Sequence, residues 1–119
     1  MSNKLYEGLL SLHSDGEADD VLFLSSCTEP LADTLLDDIG RKQVTARYWV
    51  CDKQCTKEEA SENLVKQIMG DAKVKYGHAY SEVTGYLWTD EEIKIGGHDL
   101  LEELKSAVGK WLILEVEIH

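Results

Sequence analysis

Little in this chain breaks secondary structure or crosses a membrane. There is one proline among 119 residues, and with nine glycines and 43% hydrophobic residues the composition excludes a disordered or low-complexity chain. No apolar run approaches the roughly eighteen residues a spanning helix needs, which argues against a transmembrane segment. Positive charge is scarce as well: 12 lysines and arginines stand against 23 carboxylates, a net charge of −11. A protein that neutralises phosphates needs clustered cations, so direct nucleic-acid binding is not expected. Three cysteines make an odd number, and Met-Ser-Asn-Lys-Leu-Tyr-Glu-Gly-Leu-Leu, with its lone lysine, is not expected to act as a cleavable secretory leader. Reduced thiols in a cytoplasmic protein are the plain reading.

What is present organises itself around the stretch from Gly96 to His119. Asp99 and Glu102 have capping-box spacing. Leu100, Leu104 and Val108 then share one helical face beside Leu101, and Gly109 supplies the left-handed stop. From there Leu112, Leu114, Val116 and Ile118 alternate with Trp111, Ile113, Glu115, Glu117 and His119, the mark of a strand with one face on a core. A shorter version occurs earlier. Leu31, Leu35 and Ile39 precede Gly40, after which Val44, Ala46, Tyr48 and Val50 alternate with Thr45, Arg47, Trp49 and Cys51.

These two passages predict a ββαβ unit used twice, over residues 4–51 and 72–119 of a single domain spanning 1–119. Gly8-Leu9-Leu10 and Gly85-Tyr86-Leu87 stand as matching upstream elements. The first unit would open with a strand over 4–13 bulged at Gly8, a turn at Asp15-Gly16, a buried strand at 21–24 and a helix over about 29–39 capped by Thr28. Thr56 and Glu59 form a second capping box, and Ala60, Leu64 and Ile68 are four apart, so a joining helix is expected over 56–70. Strands are expected at 73–80, 83–88 and 92–95, with a turn at 89–91. The fold expected is α+β: about six strands in a strongly twisted, largely antiparallel sheet or partly closed barrel with three short helices, the alternative being a ferredoxin-like sandwich.

The ending GYLWTDEE…GGHDLLEEL…GKxLxLEV resembles those of small uncharacterised bacterial α+β proteins, including kinds carried on mobile integron gene cassettes. The likeness covers about the last third of the chain and rests on core and cap residues. It implies no activity, and no functional residue follows from it.

Candidate chemistry is sparse. Cys51 and Cys55 are the one close pair, too few for a structural zinc knuckle, so neither a metal nor another cofactor is expected. Cys55, just before a helix cap, could carry a lowered pKa, although incidental thiols are commoner. Gly96-Gly97-His98-Asp99 could bring backbone close to an anion, but no Lys or Arg lies in the loop and Asp99 already fills the helix start. Glu115, Glu117 and His119 share a strand face, with Arg47 and Trp49 on the matching face of the earlier strand. Tyr76, Tyr80, Tyr86 and Trp88, with Trp49 and Trp111, offer aromatic recognition surface.

Three function classes remain. The leading one is a small acidic interaction module that self-associates as a homo-oligomer through Trp49, Trp111 and Ile113, or that takes a basic protein partner. The second is a small-molecule-binding protein or enzyme with a cleft around His98, Arg47, Tyr80, Glu115 and Glu117. The third is an acidic mimic of nucleic acid.

Overall fold

The computed structural model describes residues 2–14 and 20–119. Nine regular elements follow one another: β1 (Ser2–Ser14), β2 (Asp20–Leu24), α1 (Leu31–Asp38), β3 (Gln43–Cys51), β4 (Leu64–Tyr80), β5 (Leu87–Ile95), β6 (His98–Asp99), α2 (Leu100–Lys105) and β7 (Trp111–Ile118). The seven strands form one antiparallel sheet in the order β2-β1-β7-β3-β4-β5-β6. The α+β expectation of three helices is thereby overturned, and so are the partly closed barrel and the ferredoxin-like sandwich. The described residues are mostly β, with two short helices and an open sheet ending at β2 and β6.

The discrepancy sits between residues 56 and 95. The Thr56–Glu59 capping box does form: Thr56 N–H donates to Glu59 Oε1 and Glu59 N–H to Thr56 Oγ1, both at 3.2 Å. It launches only turns and a 3-10 turn at Ser61–Asn63, after which Leu64 begins the longest strand of the protein. The reason is arithmetic. A spacing of four is one helical turn but also twice the strand period, so the pattern of Leu64 and Ile68 suits either conformation. In the strand a register shift sets Leu64 opposite Trp49, half exposed, while Ile68 lies opposite Ala46 on the core face. Further on, the expected strands at 83–88 and 92–95 are one strand, β5, and residues 81–86 make the turn before it. The Asp15-Gly16 turn lies outside the described residues.

Two long strands bend and change partner. β1 pairs with β7 from Ser2 to Leu9 and with β2 from Leu10 to Ser14. β4 pairs with β3 up to Asp71 and with β5 from Ala72 to Tyr80. At the second bend Gly70 has φ +148° and packs directly on Gly96, φ +55°. A Cβ on Gly70 would overlap Gly96 Cα, and one on Gly96 would overlap the Met69 carbonyl oxygen. Gly8 holds the matching place in β1, touching Ser25 and Ser26, so the counterpart of Gly8 is Gly70 rather than Gly85. Elements β1-β2-α1-β3 and β4-β5-α2-β7 thus occupy matching positions. The last strands, β3 and β7, lie together in the middle of the sheet, each first strand pairs with the last strand of the other series, and the second strands lie outside the first.

The main core lies on the face under the helices. Leu112, Leu114 and Val116 of β7 and Val44, Ala46 and Tyr48 of β3 meet Leu31, Leu35 and Ile39 of the α1 region and Leu100, Leu101 and Leu104 of α2. Each fully buried leucine contributes about 2 kcal/mol through loss of apolar surface from water. Asp99 accepts from Glu102 N–H at 3.3 Å, so the second helix starts as its cap residue dictates.

Candidate functional site

Register fixes what the opposite face presents. Odd-numbered residues of β1, β7 and β3 stand there in cross-strand rows: Asn3–Glu117–Thr45, Leu5–Glu115–Arg47, Glu7–Ile113–Trp49 and Leu9–Trp111–Cys51. Two rows are polar and two largely apolar, and the chain treats the halves differently.

The apolar half is covered by the protein itself. After β3 the chain turns back across the sheet, and Ala60 packs with Trp49, Cys51 and Ile113 in a second small core, with Cys55 and Trp111 against it. Cys51 and Cys55 form a disulfide at the root of this cover, while Cys27 is free. The reading of three reduced thiols is corrected accordingly: residues four apart at a strand end and in the returning loop are brought together by the turn between them. Trp49 and Ile113 were expected on an exposed oligomer surface, but they are 6% and 0% exposed beneath the cover, with Trp111 half-buried at its margin.

The polar half holds a charge network. Arg47 Nη1 lies 3.2 Å from Glu115 Oε1 and 3.6 Å from Glu117 Oε2, and its Nε donates to Gln67 Oε1 at 2.7 Å. Lys57, from the cover, donates to the other oxygen of Glu115 and sits 5.7 Å from the centre of the Trp49 ring. Thr45 Oγ1 and His119 Nε2 are 2.7 Å apart. The Glu115 carboxyl is held below its ordinary range, first by the hydrogen bond from Lys57 and then by Arg47, against the opposing effect of burial. It stays ionised and clamped, which removes it as a general acid.

Arg47, Glu115 and Glu117 therefore converge as the sequence suggested. His98 and Tyr80 do not join them. Both are exposed and lie at opposite ends of the β4–β5–β6 ladder: Tyr80 pairs with Leu87 and His98 with Ile95, eight residues or roughly 27 Å apart along β5. The five-residue cleft is thus split between separate parts of the molecule.

Between cover and sheet edge runs a groove of about 710 Å³ that sequence reasoning missed. It is lined by Leu5 and Glu7 of β1, Ser26, Trp111 of β7, and Gln54, Cys55, Thr56 and Glu59 of the cover. Two carboxylates face it, and no lysine, arginine or histidine is among its described lining residues. Leu5 and Leu9, both about half exposed, flank it. No protein-family model, curated protein or solved structure matches this chain. The site therefore stands on its geometry alone.

Two further features are acidic. Thr89, Asp90, Glu91, Glu92, Lys94, Asp99, Leu101, Glu102 and Lys105 enclose about 310 Å³ beside α2, where burial pushes the Glu91 carboxyl up. Glu29, Asp33 and Asp37 bring their carboxylates within 4.8 Å of one another along α1, a spacing that could hold a cation but is common on acidic surfaces without one. Among the described residues no helix is long and apolar enough to cross a membrane.

Proposed function

We propose that this protein is an acidic interaction module that binds a basic protein partner across the groove side of its sheet. One observation carries the reading: a sizeable groove with Glu7 and Glu59 in its walls, Trp111 and Leu5 as apolar surface and no cation of its own, in a chain of net charge −11. Unbalanced carboxylates beside exposed apolar side chains favour a ligand that brings both positive charge and hydrocarbon. The Arg47–Glu115–Glu117–Lys57 network is internally neutral, so it supports the cover instead of contributing to the attraction. A cytoplasmic home belongs to the same proposal, with Cys51–Cys55 as the pair a reducing compartment would open.

The test is calorimetric titration with an arginine- and lysine-rich peptide and with its glutamate-substituted counterpart, at low and at high salt. Binding of the basic peptide alone, weakening as salt rises, is the expected result. No binding of the basic peptide even at low salt overturns the reading.

A second reading, self-association, has moved from the tryptophan row to another place. Leu64, Val65 and Met69 are about half exposed or more along the stretch of β4 that pairs only with β3. Sedimentation of the intact chain against a Val65→Lys variant tests it, with loss of a dimer as the expected effect.

A further inference from the structure

The groove opens beside an unfinished sheet. From Ser2 to Leu9 β1 has its strand partner on the β7 side, and β2 joins on the other side only from Leu10 onward. Near the bend the backbone of the odd residues faces away from β7. Leu9 N–H donates to Ser25 Oγ at 2.9 Å, Leu9 C=O accepts from Ser25 N–H at 3.0 Å, and Glu7 C=O accepts from Ser26 Oγ. Strand alternation then aims the N–H and C=O of Asn3 and Leu5 the same way. Among the described residues, no strand pairs with that side of residues 3–7.

An added strand there would run past the groove, and alternate side chains would point to the sheet face where Leu5, Glu7 and Trp111 stand. We infer that the free edge of β1 is an acceptor for an extended segment of a partner protein that pairs with the edge-facing groups of Asn3 and Leu5 and with the Glu7 N–H, and places an arginine in the groove between Glu7, Glu59 and the Trp111 ring. This deepens the function proposed above and rests on it. Arginine fits this lining better than lysine. Its planar guanidinium can bond carboxylates with two parallel N–H donors and lie on an indole, while its three methylenes cover Leu5. The groove volume of about 710 Å³ exceeds one side chain and leaves room for the flanking residues of such a segment. Glu7 and Glu59, with no lysine, arginine or histidine among the described lining residues, favour a basic occupant over an acidic or neutral one.

The probe is the peptide acetyl-Thr-Val-Arg-Val-Thr-Val-amide, read by Trp fluorescence and calorimetry with the intact protein. Three comparisons use the same peptide with citrulline for arginine, with lysine for arginine, and with N-methyl groups on alternate residues facing β1. The expected result is saturable binding, with Kd rising about tenfold for citrulline, less for lysine, and binding lost on N-methylation. Glu7→Gln with Glu59→Gln should also raise Kd about tenfold. Leu5→Pro removes an edge-facing donor that β7 does not use, and should abolish binding while leaving the circular dichroism of the free protein unchanged. Equal affinity for the N-methylated peptide overturns strand addition without depending on any variant's folding. Equal affinity for citrulline overturns the arginine subsite. If polyarginine binds while this peptide does not, the edge inference fails and the acidic module survives. If neither binds at low salt, both fail.

Discussion

Replacing Glu115 by glutamine tests the network that pins the cover to the sheet. The wild-type carboxylate accepts from Arg47 and from Lys57 with its two oxygens, and its side chain is only 12% exposed. Glutamine keeps one acceptor, turns an NH₂ toward the other cation and leaves two positive groups facing a neutral amide. A hydrogen bond to a charged group contributes roughly 1.5–3 kcal/mol. The side chains of Arg47 and Lys57 are 29% and 40% exposed and regain hydration when released, so the two bonds together are worth about 2 kcal/mol rather than their full sum. With an unfolding entropy of about 2.1 cal/mol/K per residue, that lowers Tm by roughly 8 °C. The sign of the pH dependence follows from the direction of the shift. A carboxyl whose folded pKa lies below its unfolded value contributes stability above the unfolded pKa and loses it as pH falls through the folded one. Wild type and variant should therefore differ most near neutrality and converge on acidification, where Glu115 is itself neutral. Calorimetry across that range is the assay. A Tm within about 1 °C of wild type at neutral pH, or a gap that persists unchanged into acid, would refute the clamp.

Other perturbations read other joints. Gly96→Ala forces a side chain onto a residue with φ +55° and into the Met69 carbonyl, so a loss of about 2–4 kcal/mol is expected in urea unfolding, against near zero for the uncrowded Gly77→Ala. Tyr6→Phe removes the 2.6 Å hydrogen bond from the phenol to Asp38 Oδ2 that ties β1 to the end of α1, and should cost about 1–2 kcal/mol. Reduction of Cys51–Cys55, or Cys51→Ser with Cys55→Ser, frees a very short loop and should lower stability by about 2 kcal/mol on chain-entropy grounds. It should also raise the emission of Trp49 and Trp111, which share the small core with the two cysteines. A reductant effect that persists in the double serine variant would place the sensitivity elsewhere.

Sequence by itself determined the parts whose signals are local. Leu31 to Ile39 before Gly40, and Leu100 to Leu104 under the Asp99 cap, read as short amphipathic helices and fold as such. The alternation in β3 and β7 correctly separated Leu112, Leu114 and Val116 from Ile113 and Glu115. Alternation gives the phase of a strand but not what covers each face. Their phase alone places Trp49 and Ile113 on an exposed interface, whereas the returning segment after β3 folds over them. The clue was in the sequence, since large apolar residues on a charged row require cover and the Thr56–Glu59 box with Cys51 and Cys55 marks a chain turning back. The 56–70 segment was not decidable locally, because four-residue spacing satisfies both periods. Only pairing of β4 with β3 up to Asp71 and with β5 from Ala72 onward made it a strand. The groove and the free edge of β1 likewise belong to the tertiary structure. They exist because β2 joins β1 only from Leu10 onward and a distant loop returns beside it, an arrangement that no spacing within β1 encodes.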